Sequence, residues 1–230
     1  MSRATVTETT RIRRLWGTLA TTIVLALLGP LASSAHADSS CIQAAYSNPY
    51  IWSAHQYTYA IKGSSVPSVP GGAPIDNIIK GRHVWNNTTN TCGFSDLSDL
   101  TAYNQTSSAS IGFSRGDGYN RIDFGSNNFS GCAGSVGCTA LQLSGPFIQE
   151  VDTRFESSLE WRTDGVSSGH DIWNVSAHES GHAIGLQHAS GDWLTMYYTE
   201  TTPGELRKRT LACGDVRGLR SLYGGALPSC

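Results

Sequence analysis

The sequence predicts an α+β domain, because strand-like runs with one helix fill its first half and helices follow in the second. Tyr57–Ile61 alternates and is rich in aromatic and branched residues, which predicts a first strand. Pro67, Pro70, Gly71, Gly72 and Pro74 then break the chain. From there Ile75, Ile78, Ile79, Val84 and Trp85 recur at helical spacing and predict a helix over 75–87, with Gly81 counting mildly against it. The Ser-, Thr-, Asn- and Gly-rich stretch 101–118 reads as loop around a short apolar piece at Ile111–Phe113. Ile122 and Phe124 mark a strand, and 126–137 is again loop. Thr139–Leu143 and Phe147–Phe155, parted by Ser144-Gly145-Pro146, read as adjoining strands. No repeat or long linker interrupts this order.

The first 37 residues have the form of an export signal. Arg3, Arg11, Arg13 and Arg14 give a basic start, an apolar run follows from Leu19 to Leu31, and Ala35-His36-Ala37 has the small-x-small form of a cleavage site. Pro30 and the shortness of the run speak against a membrane anchor. The expectation is a secretion signal over 1–37 and one extracellular domain over 38–230. Taking four Arg and one Glu away with the signal leaves 12 basic and 17 acidic side chains of the original 16 and 18, a charge of about −5. That balance argues against nucleic acid or an anionic membrane as partner. The basic run Arg207-Lys208-Arg209 reads as solvated surface. N-glycosylation triplets begin at Asn86, Asn87, Asn104, Asn128 and Asn174, and no function is assigned to them.

All six cysteines lie beyond the signal, and an even number in an exported chain points to three disulfides. Short loops favour Cys132 with Cys138 and Cys213 with Cys230, which leaves Cys41 with Cys92. No C-x-x-C pair suggests that thiolates bind a metal.

The segment with the most chemical content is Asp171–His188. Asp171 is a plausible helix cap, and Ile172, Val175 and Ile184 offer an apolar side. His178 and His182 are four residues apart, so both imidazoles leave one face of a helix and can chelate one ion. Glu179 is near enough to reach a metal-bound water without being a ligand. Gly185 permits a sharp turn out of the helix that brings His188 round as third ligand. Chance would place these five residues at this spacing on the order of once in fifty thousand such sequences, so incidental histidines on a surface helix are set aside. Three neutral imidazoles and an open position suit a catalytic zinc, and a purely structural site has no use for the neighbouring carboxylate.

These residues, H-E-S-G-H-A-I-G-L-Q-H, resemble the extended zinc signature of the metzincin peptidases, and their surroundings are most similar to the matrixin branch. Met196, in Trp193-Leu194-Thr195-Met196-Tyr197, resembles that family's Met-turn and would be an apolar floor under the imidazoles. Asp215–Gly224 (D-V-R-G-L-R-S-L-Y-G) is similar to its closing helix. The resemblance implies a metzincin-like α+β fold, a twisted mixed sheet with an active-site helix and a C-terminal helix. It also implies that Thr139–Leu143 is an edge strand to which extended substrate adds. The residues after Met196, through about Gly204, would shape the pocket for the side chain following the cleaved bond. Two departures stand out. No P-R-C-G-x-P-D propeptide motif occurs, and His55, His83 and His170 are scattered, so neither a second zinc nor calcium is indicated.

The function this implies is a secreted, monomeric, zinc-dependent endopeptidase with one catalytic zinc and protein or peptide substrates. Zinc would lower the pKa of its water to roughly 7, and Glu179 would take the water proton and pass it to the leaving amine. Tyr198 is a candidate for transition-state stabilisation, with a place in the pocket wall as the alternative. The competing function is a zinc-containing module that binds peptides without cutting them.

Overall fold

A computed structural model describes residues 50–86, 90–92, 98, 100–104, 109–199 and 202–225. The signal over 1–37, Cys41, Asn87 and Cys230 lie outside the described residues.

Strand β1 (Gln56–Ile61) buries Tyr57, Tyr59 and Ile61 on alternate positions and starts the sheet. With β2 (Thr101–Asn104), β3 (Arg121–Gly125), β4 (Gly137–Ser144) and β5 (Phe147–Glu156) it forms a five-stranded sheet in the order β2-β1-β3-β5-β4. The neighbours β2-β1, β1-β3 and β3-β5 are parallel, whereas β4 runs antiparallel to β5 through the tight turn at Gly145. The sheet is therefore mixed, and β4 is an edge strand, as expected. Two short parallel strands, β6 (Trp161–Arg162) and β7 (His170–Asp171), lead the chain into the central helix.

Helix α1 (Pro74–His83) begins with a proline at its first position, where the missing N–H costs nothing, and packs on α2 (Ile172–Ala183). Gly81 is needed at that contact. A Cβ there would overlap the Ser176 side chain, and with only hydrogen in its place the Ser176 hydroxyl reaches the Ile78 carbonyl at 2.8 Å. Ile78, Trp85 and Val175 sit in the same buried cluster, each burial stabilising by roughly 1.5–3 kcal/mol. Phe124, Phe155 and Trp161 form an aromatic group with centroids 5.0–5.5 Å apart. Helix α3 (Cys213–Tyr223) closes the fold by burying Val216, Leu219 and Tyr223.

Three expectations are corrected. Helix α1 ends at His83 rather than 87, because the chain turns at 84–86 and the Trp85 indole donates to the Ala177 carbonyl at 2.8 Å. The stretch 101–118 contains β2, a strand set by its parallel register on β1 rather than by a pattern of its own. Cys132–Cys138 is present, but Cys213 pairs with Cys92 and not with Cys230, and Cys92 accordingly not with Cys41. Backbone pairing explains the exchange. Asn90 bridges to Leu211, and the Thr91 N–H donates to the Leu211 carbonyl at 2.9 Å, which lays Cys92 against the start of α3.

Candidate metal centre

Helix α2 starts where Asp171 accepts the Asn174 N–H at 2.8 Å, a side-chain cap of the kind the sequence predicts. Arg209 fixes the same carboxylate through two hydrogen bonds, one of 2.8 Å from Nε to the oxygen that also caps the helix. The helix is buried nearly all round rather than along one stripe. Its polar residues are therefore matched individually: Ser176 to Ile78, Ser180 to the Ser176 carbonyl, and Asn174 Oδ1 to the Lys208 N–H at 2.7 Å.

The end of α2 decides where the third histidine goes. Leu186 N–H donates to Gly181 O at 2.9 Å and Gly185 N–H to His182 O at 3.0 Å, the paired bonds of a Schellman cap. Gly185 takes φ 96° there, and a Cβ on it would overlap the Tyr50 carbonyl. The remaining carbonyls of that turn are taken by Trp52 Nε1, 2.9 Å from Ala183 O, and by the Tyr223 hydroxyl, 2.8 Å from Ile184 O. The chain then doubles back, and His188 Nε2 lies 3.3 Å from His178 Nε2 and 3.1 Å from His182 Nε2. One ligand atom from each of the three lies within 4.8 Å of the others, the group able to hold a metal ion among the described residues.

The donor set fits a cation. Thr195 O lies 2.6 Å from His178 Nδ1 and Leu186 O 2.9 Å from His182 Nδ1. A carbonyl only accepts, so each Nδ1 carries the proton and each Nε2 is a bare acceptor in the neutral ring. A proton on His188 Nε2 could satisfy one of those two acceptors; a divalent ion satisfies all three rings. Burial first, then neighbouring positive charge, holds the imidazole of His178 well below its ordinary pKa, and burial also lowers His182 and His188. Burial thus favours the neutral form of all three rings, the form in which an imidazole can hold a metal.

Met196 is fully buried, and its thioether occupies the space that a Cβ on Gly181, the residue before His182, would take. The turn carrying Met196 is held by Asp215 of α3, whose carboxylate accepts from Thr195 N at 2.8 Å, Met196 N at 3.1 Å and Ala212 N at 3.0 Å. Burial pushes Asp215 up to about 6 against these three hydrogen bonds. Since Thr195 also supplies the carbonyl that orients His178, α3 acts on that ring through a single residue.

Glu179 projects toward β4. Its Oε2 accepts from the Thr139 hydroxyl at 2.7 Å, Thr139 Oγ1 lies 2.9 Å from Thr153 Oγ1, and Arg82 Nη2 donates to Thr153 at 2.6 Å. Because the guanidinium can only donate, the chain of hydrogen bonds runs one way, from Arg82 through two hydroxyls to the carboxylate. Burial raises the Glu179 pKa, opposed by the Thr139 bond and the Arg82 charge. Gly137 leaves room for the other oxygen, since a Cβ there would lie 2.6 Å from Oε1.

The three histidines, Glu179, Gly137 and Thr139 line a cleft of about 350 Å³ between β4 and the segment after Met196. Tyr198 is on its wall, 58% exposed, with its N–H donating to Ala189 O at 3.2 Å. A hydrogen bond with Tyr197 holds its hydroxyl above the ordinary phenol range. The structure therefore gathers His178, His182, His188 and Glu179 and leaves Tyr198 at the rim. His55 packs edge-on against Tyr223 and His170 against Trp161, both away from this group. The contacts that Arg82, Thr139, Thr153, Lys208 and Asp215 make at this site had no local signal. Each is contributed by a different element or position, and only packing brings them to the helix. Arg207-Lys208-Arg209 is also not the solvated run expected. It forms a 3₁₀ turn that sends its side chains in different directions, so that Arg207 is exposed, Lys208 is buried and Arg209 binds Asp171. Asn174, with a formal glycosylation triplet, is fully buried.

The peptidase family described as matrixin matches residues 51–224. The chain is 38% identical over 76 residues to matrix metalloproteinase-27 of Homo sapiens, 32% of this chain and 14% of that protein. It is 35% identical over 111 residues to the hatching enzyme of Paracentrotus lividus, 45% of this chain and 17% of that one. With metalloendoproteinase 2-MMP of Arabidopsis thaliana it shares 36% over 136 residues, 57% of this chain and 35% of that protein. The matches thus span between 14% and 35% of these relatives' lengths.

Proposed function

Since the chain belongs to the matrixin family, we propose that it is a zinc-dependent endopeptidase in which His178, His182 and His188 hold one zinc ion and Glu179 is the general base. The observation that carries this reading is the convergence of three imidazole nitrogens, two of them left bare by backbone carbonyls, beside a buried carboxylate in an open cleft. Zinc, when bound, supplies Lewis acidity that polarises the scissile carbonyl and makes water a nucleophile at neutral pH. Glu179 accepts the proton of the attacking water on one side and returns it to the leaving amine. Thr139 holds Oε2, so Oε1, beside Gly137, is the oxygen free to move that proton.

The free edge of β4 takes an extended substrate as an additional strand, which sets the scissile bond across the three histidines. The side chain following the cleaved bond enters beside the segment after Met196, with Tyr198 as a wall rather than a transition-state group. Its 58% exposure and its hydrogen bond to Tyr197 support that place. Residues 1–37 serve as a secretion signal, and 38–230 act outside the cell as a monomeric catalytic domain.

The test is incubation of purified protein with unfolded protein substrates, with and without a chelator. Cleavage that the chelator abolishes and added zinc restores is expected. Zinc-loaded protein that binds peptides and cuts none would replace the enzyme with a binding module.

A further inference from the structure

The cleft contains a positive charge that the peptidase reading does not use. Lys208 is only 2% exposed, yet it lines the same cleft as His178, Glu179 and His188. Its backbone N–H is held by Asn174 Oδ1 at 2.7 Å, one helical turn before His178, so its position is set by the active-site helix itself. The ammonium donates to Tyr197 O at 3.1 Å and Thr199 O at 3.0 Å. An ammonium has three N–H donors, and these two carbonyls are neutral. None of the ion pairs among the described residues includes Lys208. A buried charge without a contacting counter-ion is costly unless something supplies one.

The two carbonyls belong to the segment that walls the pocket for the side chain following the cleaved bond. Lys208 thus stands at that wall, with one donor directed to neither carbonyl and with Glu205 and Glu179 acting on its charge without contacting it. We propose that Lys208 makes this pocket select an acidic residue, Asp or Glu, immediately after the scissile bond. A carboxylate there accepts the third N–H and neutralises the ammonium, whereas the isosteric amide of Gln or Asn offers an acceptor without charge, and an apolar side chain offers neither. The inference rests on the endopeptidase reading and deepens it.

The experiment uses zinc-loaded protein and matched peptides that differ at one position after the cleaved bond, Glu, Gln or Leu, with kcat/KM measured for each. At least a tenfold preference for Glu over Gln is expected. In Lys208→Met that ratio falls toward one, and in Lys208→Arg a preference for Glu persists. A lysine that merely fastens the two carbonyls would lower kcat/KM for all three peptides alike in Lys208→Met and leave the ratio unchanged. Should that variant fail to fold, the wild-type comparison decides the matter by itself. Chelator-sensitive cleavage of the Gln and Leu peptides with no preference for Glu overturns the selectivity and leaves the endopeptidase standing. No cleavage of any peptide or of unfolded protein removes the endopeptidase and the selectivity with it.

Discussion

Two parts of the molecule bring polar atoms together, and they finish the task differently. At the candidate metal centre three ring nitrogens converge and two are left as bare acceptors. Where the loop 112–118 packs on β3 and β5, three carboxylates of those strands are filled by backbone N–H groups and one arginine. Glu150 accepts from Gly116 N and Gly118 N, each at 2.5 Å. Asp152 accepts from Ser114 N at 2.9 Å and Arg121 N at 3.0 Å. Asp123 accepts from Phe113 N at 3.0 Å and from Arg154 through Nε at 2.8 Å and Nη2 at 2.6 Å. Gly112 has no Cβ because one would overlap the Asp123 carboxylate. Convergent groups that satisfy one another build structure; convergent groups left open are poised for a ligand.

The largest expected effect tests the open site. Glu179→Gln should bind zinc as wild type does while kcat/KM falls by on the order of 10²–10⁴, the range for a lost general base. Metal content by elemental analysis and turnover on one peptide check this, and normal turnover would withdraw Glu179 from the mechanism. Next comes the staple outside both regions. Replacing Cys92 and Cys213 by Ser opens a loop with a sequence separation of 121 and should cost about 2–5 kcal/mol in urea unfolding. A loss under about 1 kcal/mol would mean that the bridge constrains little.

Thr139→Val separates a positioned carboxylate from one that is merely present. Loss of a hydrogen bond to a charged acceptor is worth roughly 1.5–3 kcal/mol, so kcat should drop at least about tenfold with KM little changed. Thr139→Ser should restore most of it, since the hydroxyl returns. Recovery equally good in Thr139→Val would leave the Arg82–Thr153–Thr139 chain without a part in catalysis.

The filled region has its own signature in pH. Burial first, and the negative charges of Glu150 and Asp117, push Asp152 up to about 6 against its two backbone hydrogen bonds. A carboxyl whose folded pKa is raised binds more protons in the native state, so its stabilising contribution is present below about 4 and is lost as pH rises through about 6. The stability of wild type relative to Asp152→Asn should therefore decline between pH 4 and pH 6.5. A flat difference over that window would mean that Asp152 titrates normally. The smallest effect is expected at the rim: Tyr198→Phe should leave kcat within about twofold, and a drop beyond tenfold would move Tyr198 from the wall to the transition state.

Much of the centre was legible because it is local. His178 and His182 share a face through helical geometry alone, Asp171 caps its own first turn, and Gly185 supplies a positive φ that few other residues tolerate. The strand at Tyr57–Ile61 was equally plain, since an alternating pattern needs no knowledge of neighbours, and Ser144-Gly145-Pro146 marked the turn between the strands at Thr139–Leu143 and Phe147–Phe155. Strand β2 was not, because its four residues carry no pattern and only the edge of β1 makes them a strand.

The sequence by itself determined the spacing of His178, His182 and His188, the helix that bears the first two and the order of the main elements, because those follow from interactions within a few residues. Only the tertiary structure decided that Cys92 meets Cys213, that Arg82 reaches Glu179 through Thr153 and Thr139, and that Lys208 is buried in the cleft rather than solvated. Each of those depends on chain segments far apart in sequence. Their meeting is fixed by how the sheet and helices pack, and burial then sets the strength of every charge among them.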